Sequence, residues 1–273
     1  MSEPPLERWP DHLRRRLPTP DDAPARLVVA RETVTSTQDL ARTLIDQVGV
    51  SAHGAVVVAD RQTAGRGRLG RRWQSPAGAS LMFSFVQRVG TDQDPPRPAA
   101  LAAAGERMSF LTCAALAQVL DRHLAGVSRT TAIKWPNDLQ LGPRKLAGVL
   151  IEQRNGWFVV GVGINAHLTT AQLPEELRES ATSLAICGIQ VDRSELLADV
   201  IEALEHAFVQ RDDAPLREVW RDKCLAWGRP TRLRCEGKLI EGHVVDLHPE
   251  RGLAVRQADG SVHWLRGERT TTA

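Results

Sequence analysis

The nine residues Gly65-Arg66-Gly67-Arg68-Leu69-Gly70-Arg71-Arg72-Trp73 carry the pattern around which the rest of the chain is organised. They follow the apolar, β-branched run Ala55-Val56-Val57-Val58-Ala59, which is short, bounded by polar residues and typical of a buried strand. Three glycines free the backbone for turns, so the strand must end before them. Arginines on such a loop can all face one anionic object. The stretch therefore predicts an anion-binding loop directly after a buried strand.

The glycine spacing also matches G-x-G-x-x-G, the fingerprint of dinucleotide-binding folds. That fingerprint needs a helix that begins at the last glycine, because the helix N-terminus takes the pyrophosphate. Residues 71–78 contain a proline and a glycine and have no apolar period. We therefore predict no helix and no dinucleotide site here, and a solvated basic loop is the simple alternative.

Composition limits the class of protein. A chain of 273 residues can hold a large domain and a small one, and 42% apolar with 25% charged residues is ordinary for a globular protein. The formal net charge is only +2, so the arginines of the loop are a local feature. No apolar run approaches the ~20 residues of a membrane span, and we expect a cytoplasmic location. Four cysteines without C-x-x-C spacing predict reduced thiols.

Periodicity divides the chain into three parts. Residues 1–25 are rich in proline and charge and predict a tail or a docked extension, residues 26–228 predict a mixed α/β domain, and residues 229–273 predict a small barrel of four or five short strands. Within the α/β part, strands are predicted at 26–30, 56–60, 80–86, 145–152 and 157–164. Helices are predicted to begin at residue 36 and to span 99–124, 175–187, 192–210 and 215–227, and the helix at 99–124 is expected to break near Gly105. Ser36 is the predicted N-cap of the first helix, with Asp39 completing a capping box.

Two further stretches put polar residues at the corners of strands. Lys134-Trp135-Pro136-Asn137-Asp138 ends a strand in a turn, so Lys134 and Asp138 flank a tight corner. Lys145-Leu146-Ala147-Gly148 begins the next strand, and a hairpin leads to a return strand ending in Gly161-Val162-Gly163-Ile164-Asn165. A glycine inside a strand, such as Gly148, marks close approach of a ligand or another backbone. The simple alternative is a surface turn with a chance ion pair.

Lysine is rare in this chain, which makes its positions informative. Of 35 basic residues only four are lysines, at positions 134, 145, 223 and 238. Bidentate arginines suit phosphates, whereas a compact ammonium suits charge that develops at one reacting centre. An arginine-rich glycine loop with two lysines inside motifs therefore predicts a site that activates a carboxylate with a nucleotide.

Together these motifs resemble those of the biotin protein ligases, the biotin–[acetyl-CoA-carboxylase] ligases. The four strings at 65–73, 134–138, 145–148 and 161–165 match in order and spacing, with Ser36, Thr37 and Gln62. The resemblance implies a catalytic domain on a mixed sheet, similar to class II aminoacyl-tRNA synthetases, and an SH3-like C-terminal domain. It also implies a reaction. Biotin and ATP, with Mg²⁺, give biotinyl-5′-AMP and pyrophosphate, and a lysine of a biotin carboxyl carrier domain then takes the biotin.

The resemblance also implies roles for residues. Lys145, Arg68 and Asp138 would be catalytic, and Asp138 would lie by ATP and its magnesium or orient the acceptor lysine. The biotin-binding residues would be Ser36, Thr37, Gln38, Gln62, Gly65, Arg66, Gly67, Arg68, Lys145, Gly148 and Gly163. The ATP-binding residues would be Arg68, Arg71, Trp73, Lys134, Asn137 and Asn165. We expect the loop to be disordered when empty and to close over the ligand.

Two features depart from the family pattern. Gln38 stands where family members often have asparagine after Ser-Thr, which changes one contact in the pocket. Many bacterial members also carry an N-terminal DNA-binding domain, for which residues 1–25 are too short. We therefore expect no specific DNA binding, no membrane partner, and a monomer or weak homodimer.

Three alternatives stay open from the sequence. A lipoate or octanoyl ligase would share the catalytic fold. A nucleic-acid-binding module would show steeply salt-dependent affinity and would leave Lys145 and Asn165 without a role. An inactive scaffold would keep the motifs without turnover.

Overall fold

A seven-stranded mixed sheet forms the centre of the protein in a computed structural model, which describes residues 3–17, 26–91, 94 and 96–272. Its strands are β1 (Val28–Val34), β2 (Val56–Gln62), β3 (Ser80–Arg88), β4 (Thr131–Lys134), β5 (Asp138–Leu141), β6 (Arg144–Arg154) and β7 (Trp157–Asn165), in the order β1-β2-β3-β7-β6-β5-β4. The pair β1 and β2 is parallel, and the other neighbouring pairs are antiparallel. The predicted mixed α/β fold is confirmed.

Helices cover the two faces of this sheet unequally. They are α1 (Trp9–Arg16), α2 (Thr37–Val48), α3 (Pro98–His123), α4 (Arg193–Val209) and α5 (Ala214–Lys223). Helix α2 makes the crossover that parallel strands β1 and β2 require, and it packs on one face over a small core of alanine and valine. The other four helices bury the main core on the opposite face. One face of the sheet is therefore only partly covered.

The side chains of β7 alternate between these two faces. Phe158, Val160 and Val162 belong to the main core, whereas Gly161 and Gly163 face the α2 side. Gly163 lies directly opposite Gly148 of β6 in the strand register. The sheet thus has a patch without side chains beside α2, and this patch becomes the floor of a cleft.

Two predictions about helices were wrong. Helix α3 is continuous through Gly105, where an added Cβ would lie 3.4 Å from the ring of Phe158, so the glycine serves close packing on β7. Residues 175–187 form two short 3₁₀ turns, Glu175–Leu177 and Ala185–Cys187, instead of a helix. The backbone between them pairs with Lys145, whose N–H donates to the Ser180 carbonyl and whose carbonyl accepts from Thr182 N. Tertiary pairing here overrides helix propensity.

The C-terminal part is a second sheet of five strands. They are β8 (Pro230–Cys235), β9 (Lys238–His248), β10 (Gly252–Arg256), β11 (Val262–Leu265) and β12 (Thr270–Thr272), in the order β11-β10-β9-β8-β12. Within the described residues β11 and β12 are edges that do not pair with each other, so the sheet is open. The predicted strands are present, whereas their closure into a barrel stays a prediction.

The N-terminal segment is docked where the structure describes it, at residues 3–17. Trp9, Leu13 and Leu17 are buried in the main core. Arg193 at the start of α4 pairs with Glu3 at 2.6 Å, and its guanidinium lies 5.4 Å from the centre of the Trp9 ring. Of the two sequence alternatives, a docked extension fits this part, and the rest of residues 1–25 lies outside the described residues. In the described ranges no helix is long and apolar enough to cross a membrane.

Candidate active site

One cleft on the α2 side of the sheet brings most of the predicted site residues together. Those that line it are Ser36, Thr37, Gln38, Gln62, Arg66, Gly67, Arg68, Arg71, Trp73, Lys134, Asn137, Asp138, Lys145, Gly148 and Gly163. They come from the start of α2, five strands of the central sheet (β2, β4, β5, β6 and β7), the glycine loop and the turn between β4 and β5. Motifs that are far apart in sequence thus meet at one site.

Glycines on the floor of the cleft leave room for neighbouring side chains. A Cβ added at Gly163 would lie 2.6 Å from the Trp73 ring, and one at Gly148 would lie 3.0 Å from the Lys145 ammonium. A Cβ at Gly161 would lie 2.6 Å from the Gln38 amide nitrogen. Contacts this short force neighbours to move, so these strand glycines provide space for the cleft.

The inner end of the cleft is polar. Thr37 donates to the Gln62 side-chain oxygen from its backbone N–H at 2.8 Å and from its hydroxyl at 3.3 Å. Ser84 on β3 donates to the Thr37 hydroxyl at 2.9 Å. Ser36 is the N-cap of α2, because its hydroxyl accepts from Gln38 N at 3.2 Å. The predicted cap is confirmed, but Asp39 pairs with Arg66 instead of completing a capping box.

Two buried polar atoms in the cleft lack a hydrogen-bond partner within the described residues. The Gln38 amide donates to the Leu150 carbonyl at 3.1 Å, but its Oε1 has no donor. The Trp73 Nε1 has no acceptor. Such groups cost about 1–3 kcal/mol each when left unpaired, so they favour a ligand that supplies the missing partners.

The glycine loop is a short hairpin. Trp73 N donates to the Gly65 carbonyl at 2.9 Å, and Gly67 N donates to the Arg71 carbonyl at 2.7 Å. The tip turns through Leu69 and Gly70, which have φ angles of 57° and 74°. A Cβ at Gly65 would lie 2.5 Å from the Trp73 carbonyl oxygen, which explains why glycine stands there. No helix begins at the third glycine, as predicted.

Arg66 fastens this hairpin to the sheet. Its guanidinium donates to both carboxylate oxygens of Glu152 at 3.1 Å and to Asp39 at 2.8 Å. These hydrogen bonds, first with Asp39 and then with Glu152, raise the pKa of Arg66, and the bond from Arg66 lowers the pKa of Asp39. Arg66 was predicted near the biotin carboxylate, and here it is engaged by protein carboxylates.

Arg68 links the loop to the C-terminal sheet. Its guanidinium donates to Asn137 Oδ1 at 3.1 Å, to the Thr270 carbonyl at 3.0 Å and to the Gly267 carbonyl. Burial lowers the pKa of Arg68, because it disfavours the charged form. Gly267 and Thr270 were not predicted to contribute to the site, since no sequence motif marks them.

Lys145 and Asp138 form an ion pair at the outer end of the cleft. Lys145 Nζ lies 2.6 Å from Asp138 Oδ1 and 5.6 Å from the centre of the Trp73 ring. Asp138 is opposite Lys134 in the register of β4 and β5, as the tight corner predicted. Asn137 donates to the Val149 carbonyl at 2.6 Å and so braces this corner. A cationic, partly enclosed centre therefore faces a polar inner pocket.

Comparison with known proteins agrees with this arrangement. A model of the biotin/lipoate A/B protein ligase family matches residues 30–168, just over half of the chain, and the match includes α2, the glycine loop and both lysine motifs. The chain belongs to the biotin/lipoate A/B protein ligase family.

Relatives within this family have informative names. The chain is 34% identical over 216 residues to the biotin–[acetyl-CoA-carboxylase] ligase of Mycobacterium tuberculosis, covering 77% of this chain and 74% of the relative. It is 33% identical over 234 residues to the bifunctional ligase/repressor BirA of Escherichia coli, covering 82% and 68%. Among solved structures, biotin protein ligase from Aquifex aeolicus in complex with biotin and ATP is similar, with a TM-score of 0.71 and 27% identity over 90% of this chain and 99% of that one.

Two predicted residues of this family member lie outside the cleft lining. Gly65 is in the hairpin stem, packed against Trp73. Asn165 at the end of β7 is buried, donates to the Thr182 carbonyl at 2.9 Å and accepts from the Ser80 hydroxyl at 3.5 Å. A role for Asn165 in binding ATP stays a prediction.

The described residues of this ligase-family chain do not offer a ready-made metal site. They contain no group of three or more His, Cys, Asp or Glu side chains placed to hold a metal ion. Asp138, the carboxylate that was considered for magnesium, is paired with Lys145.

Glu106 on α3 is a partly buried carboxyl that no sequence motif marks. Both of its oxygens accept from Gly267 N, at 3.0 and 2.9 Å. Burial raises the pKa of Glu106 from 4.5 to about 7, and the charged groups facing it are Glu268, Arg266 and Arg68. It lies directly behind the turn that holds Arg68.

The pKa of Glu106 predicts a pH dependence of stability. The folded state keeps the proton up to about pH 7, whereas the unfolded chain loses it near 4.5, so the contribution of Glu106 to stability is greatest below 4.5 and falls as pH rises to about 7. We expect a loss of roughly 3 kcal/mol in the free energy of unfolding over this interval, relative to Glu106→Gln, and no further loss above it. Urea unfolding of both proteins from pH 4.5 to 8 measures this loss. If the free energy of unfolding changed with pH equally in the two proteins, the raised pKa of Glu106 would be contradicted.

Proposed function

We infer that this chain is a biotin protein ligase, which activates biotin with ATP to biotinyl-5′-AMP, releases pyrophosphate and transfers biotin to a lysine of a biotin carboxyl carrier domain. Family membership and the named ligases among its relatives support this function. The structural observation that carries it is one cleft in which Lys145, Arg68 and an unpaired Gln38 oxygen meet.

We propose that the ureido ring of biotin occupies the inner end of the cleft. A ureido group has two N–H donors and one carbonyl acceptor. Gln38 Oε1 is a buried acceptor that needs a donor, and Thr37, whose hydroxyl accepts from Ser84, lines the same cleft. The longer amide of Gln38, compared with asparagine, also fills the space above Gly161. The ring would then lie against Gln38 and Thr37, with its valeryl chain pointing to Lys145.

The first reaction step follows at the outer end. A biotin carboxylate oxygen attacks the α-phosphorus of ATP, the new P–O bond forms, and the bond to pyrophosphate breaks. Negative charge develops on the phosphoryl oxygens, and the Lys145 ammonium stabilises it in a site partly closed to water. Asp138 would orient Lys145 through their 2.6 Å ion pair. Trp73, with its free N–H, would contact the nucleotide.

In the second step the neutral amine of the acceptor lysine attacks the acyl carbon. The C–N bond forms, the bond between the acyl carbon and the phosphate oxygen breaks, the amine nitrogen releases one proton to solvent, and AMP leaves. Until then the reactive mixed anhydride must be retained, and Arg68 would hold its phosphate. The hairpin of residues 65–73 would exclude water from it.

Other features of the family are proposed with the function. Mg²⁺ would enter with the ATP phosphates, since it commonly binds through substrate phosphates and only one or two carboxylates. The C-terminal sheet would correspond to an SH3-like domain that begins after residue 228. Cytoplasmic location, monomeric or weakly dimeric state and the lack of specific DNA binding stay predictions.

Labelling of an acceptor tests the function. Purified enzyme, ATP, magnesium and biotin should attach biotin to one lysine of a carrier domain, as detected by avidin blot and mass spectrometry. Omission of ATP and a carrier with that lysine changed to arginine are the controls. Pyrophosphate exchange driven by lipoate but not by biotin would instead establish a lipoate ligase.

A further inference from the structure

Glu106 connects the catalytic domain to one turn of the C-terminal sheet. Its carboxylate accepts both hydrogen bonds from Gly267 N, and a Cβ added at Gly252 would lie 3.0 Å from its Oε1. A Cβ at Gly267 would lie 2.8 Å from Cβ of Pro136. The turn is therefore enclosed between α3 and the corner that carries Asn137 and Asp138.

The same turn holds Arg68. Gly267 donates its N–H to Glu106 and accepts from Arg68 with its carbonyl, so one peptide segment contacts both side chains. Thr270 supplies the second carbonyl for Arg68, and its hydroxyl donates to the Arg266 carbonyl at 2.7 Å, which closes the turn. Apart from Asn137, the hydrogen bonds that orient Arg68 in the described residues come from this turn.

We propose that Glu106 is a positioning residue for the ligase reaction: it anchors the turn of residues 267–270, and the carbonyls of that turn hold Arg68 over the cleft. The C-terminal sheet thereby takes part in retention of the adenylate. Glu106 itself does not touch substrate. This inference rests on the proposed role of Arg68 in holding biotinyl-5′-AMP.

The experiment is a mutant cycle on adenylate retention. Enzyme loaded with labelled biotin and ATP is chased with unlabelled biotin, and the dissociation rate of biotinyl-5′-AMP is measured. We expect Arg68→Ala to raise this rate about 30-fold and Glu106→Leu to raise it about tenfold. In the Arg68→Ala background, Glu106→Leu should raise the dissociation rate by a further factor of less than about two, because both substitutions act through the same contact.

Two control variants distinguish a loss of Arg68 positioning from a general weakening of the contact between the catalytic domain and the C-terminal sheet. Glu106→Gln keeps an oxygen that accepts from Gly267 N and should retain the adenylate within about twofold of the unmodified enzyme. Arg217→Met removes an ion pair with Asp246 that joins α5 to β9. This ion pair is a second contact between the catalytic domain and the C-terminal sheet. The dissociation rate of biotinyl-5′-AMP from Arg217→Met should also stay within about twofold of the rate from the unmodified enzyme. Thermal unfolding of each variant checks the fold, and Glu106→Ala replaces Glu106→Leu if the latter does not fold.

The outcomes are distinguishable. Normal retention in Arg68→Ala would overturn the proposed role of Arg68. If Arg68→Ala releases the adenylate but folded Glu106→Leu does not, the proposal for Glu106 is wrong. Independent, multiplicative effects of the two changes, release by Arg217→Met equal to that by Glu106→Leu, or a failure of Glu106→Gln to restore retention would each also overturn it.

Discussion

Lys145→Gln is expected to slow formation of biotinyl-5′-AMP by about 10²–10³-fold while the protein stays folded. The ammonium is held at 2.6 Å from Asp138 beside the Trp73 ring and the glycine floor, where charge would develop on the phosphate. Glutamine keeps much of the length and loses the charge. The Asp138 side chain is 22% exposed, so the loss of the Lys145 ammonium leaves no deeply buried carboxylate unpaired. The measurement is single-turnover adenylate formation with labelled ATP.

Controls define what Lys145 supplies. Lys145→Arg keeps the charge but replaces a compact ammonium with a planar fork, which does not reproduce the ammonium position between Asp138 and the Trp73 ring. We expect it to recover less than about a tenth of the activity. Lys238→Gln, on an exposed position of β9, should leave the rate unchanged. Activity of Lys145→Gln equal to that of the unmodified enzyme would remove Lys145 from the proposed mechanism.

Arg68→Ala is expected to release the adenylate into solution, with dissociation accelerated by about 10–100-fold. Arg68 is buried enough that its pKa is lowered, and it donates to Asn137 and to two carbonyls of the C-terminal sheet. Because these hydrogen-bond partners are uncharged, they do not neutralise the Arg68 guanidinium, which can still attract a phosphate. Without it, the hairpin loses both the charge and its link to the C-terminal sheet.

Pyrophosphate release in the absence of acceptor measures this effect. An enzyme that retains its adenylate stops releasing pyrophosphate after one equivalent per active site. An enzyme that loses its adenylate to solution continues to turn over and to release pyrophosphate. Arg61→Ala, an exposed position on β2 outside the cleft lining, is the matched control and should stop after one equivalent. A single-equivalent burst from Arg68→Ala would show that Arg68 does not hold the product.

Local sequence rules predicted much of the fold. The hydroxyl of Ser36 caps α2, and the Asp192 side chain caps α4 by accepting from Ser194 N and Glu195 N. The turn at Asn155 and Gly156 has the positive φ angles, 52° and 77°, that a tight hairpin requires. These features depend on residues a few positions apart, so the sequence contains their causes.

Predictions failed where a distant partner competed. Asp39 has the spacing of a capping box, but Arg66 from the loop forms an ion pair with it at 2.8 Å. Residues 175–187 have helical composition, but pairing with Lys145 extends part of the segment. An arginine or a free backbone N–H from elsewhere in the chain offers stronger hydrogen bonds than the local alternative, and nothing in a short window reveals it.

The sequence by itself determined the elements and the chemical class of the site: strands, caps and turns from periodicity, and a carboxylate-activating centre from glycines, arginines and two scarce lysines. Tertiary structure alone decided which charges meet. Arg68 bonds to Thr270, 202 positions away, and Arg66 bonds to Glu152, 86 positions away. Such pairings depend on how two sheets pack, and packing energy is summed over the whole core. The physical reason is range: turn and cap energies are local, whereas the orientation of the cleft's arginines is set by contacts that exist only after the chain has folded.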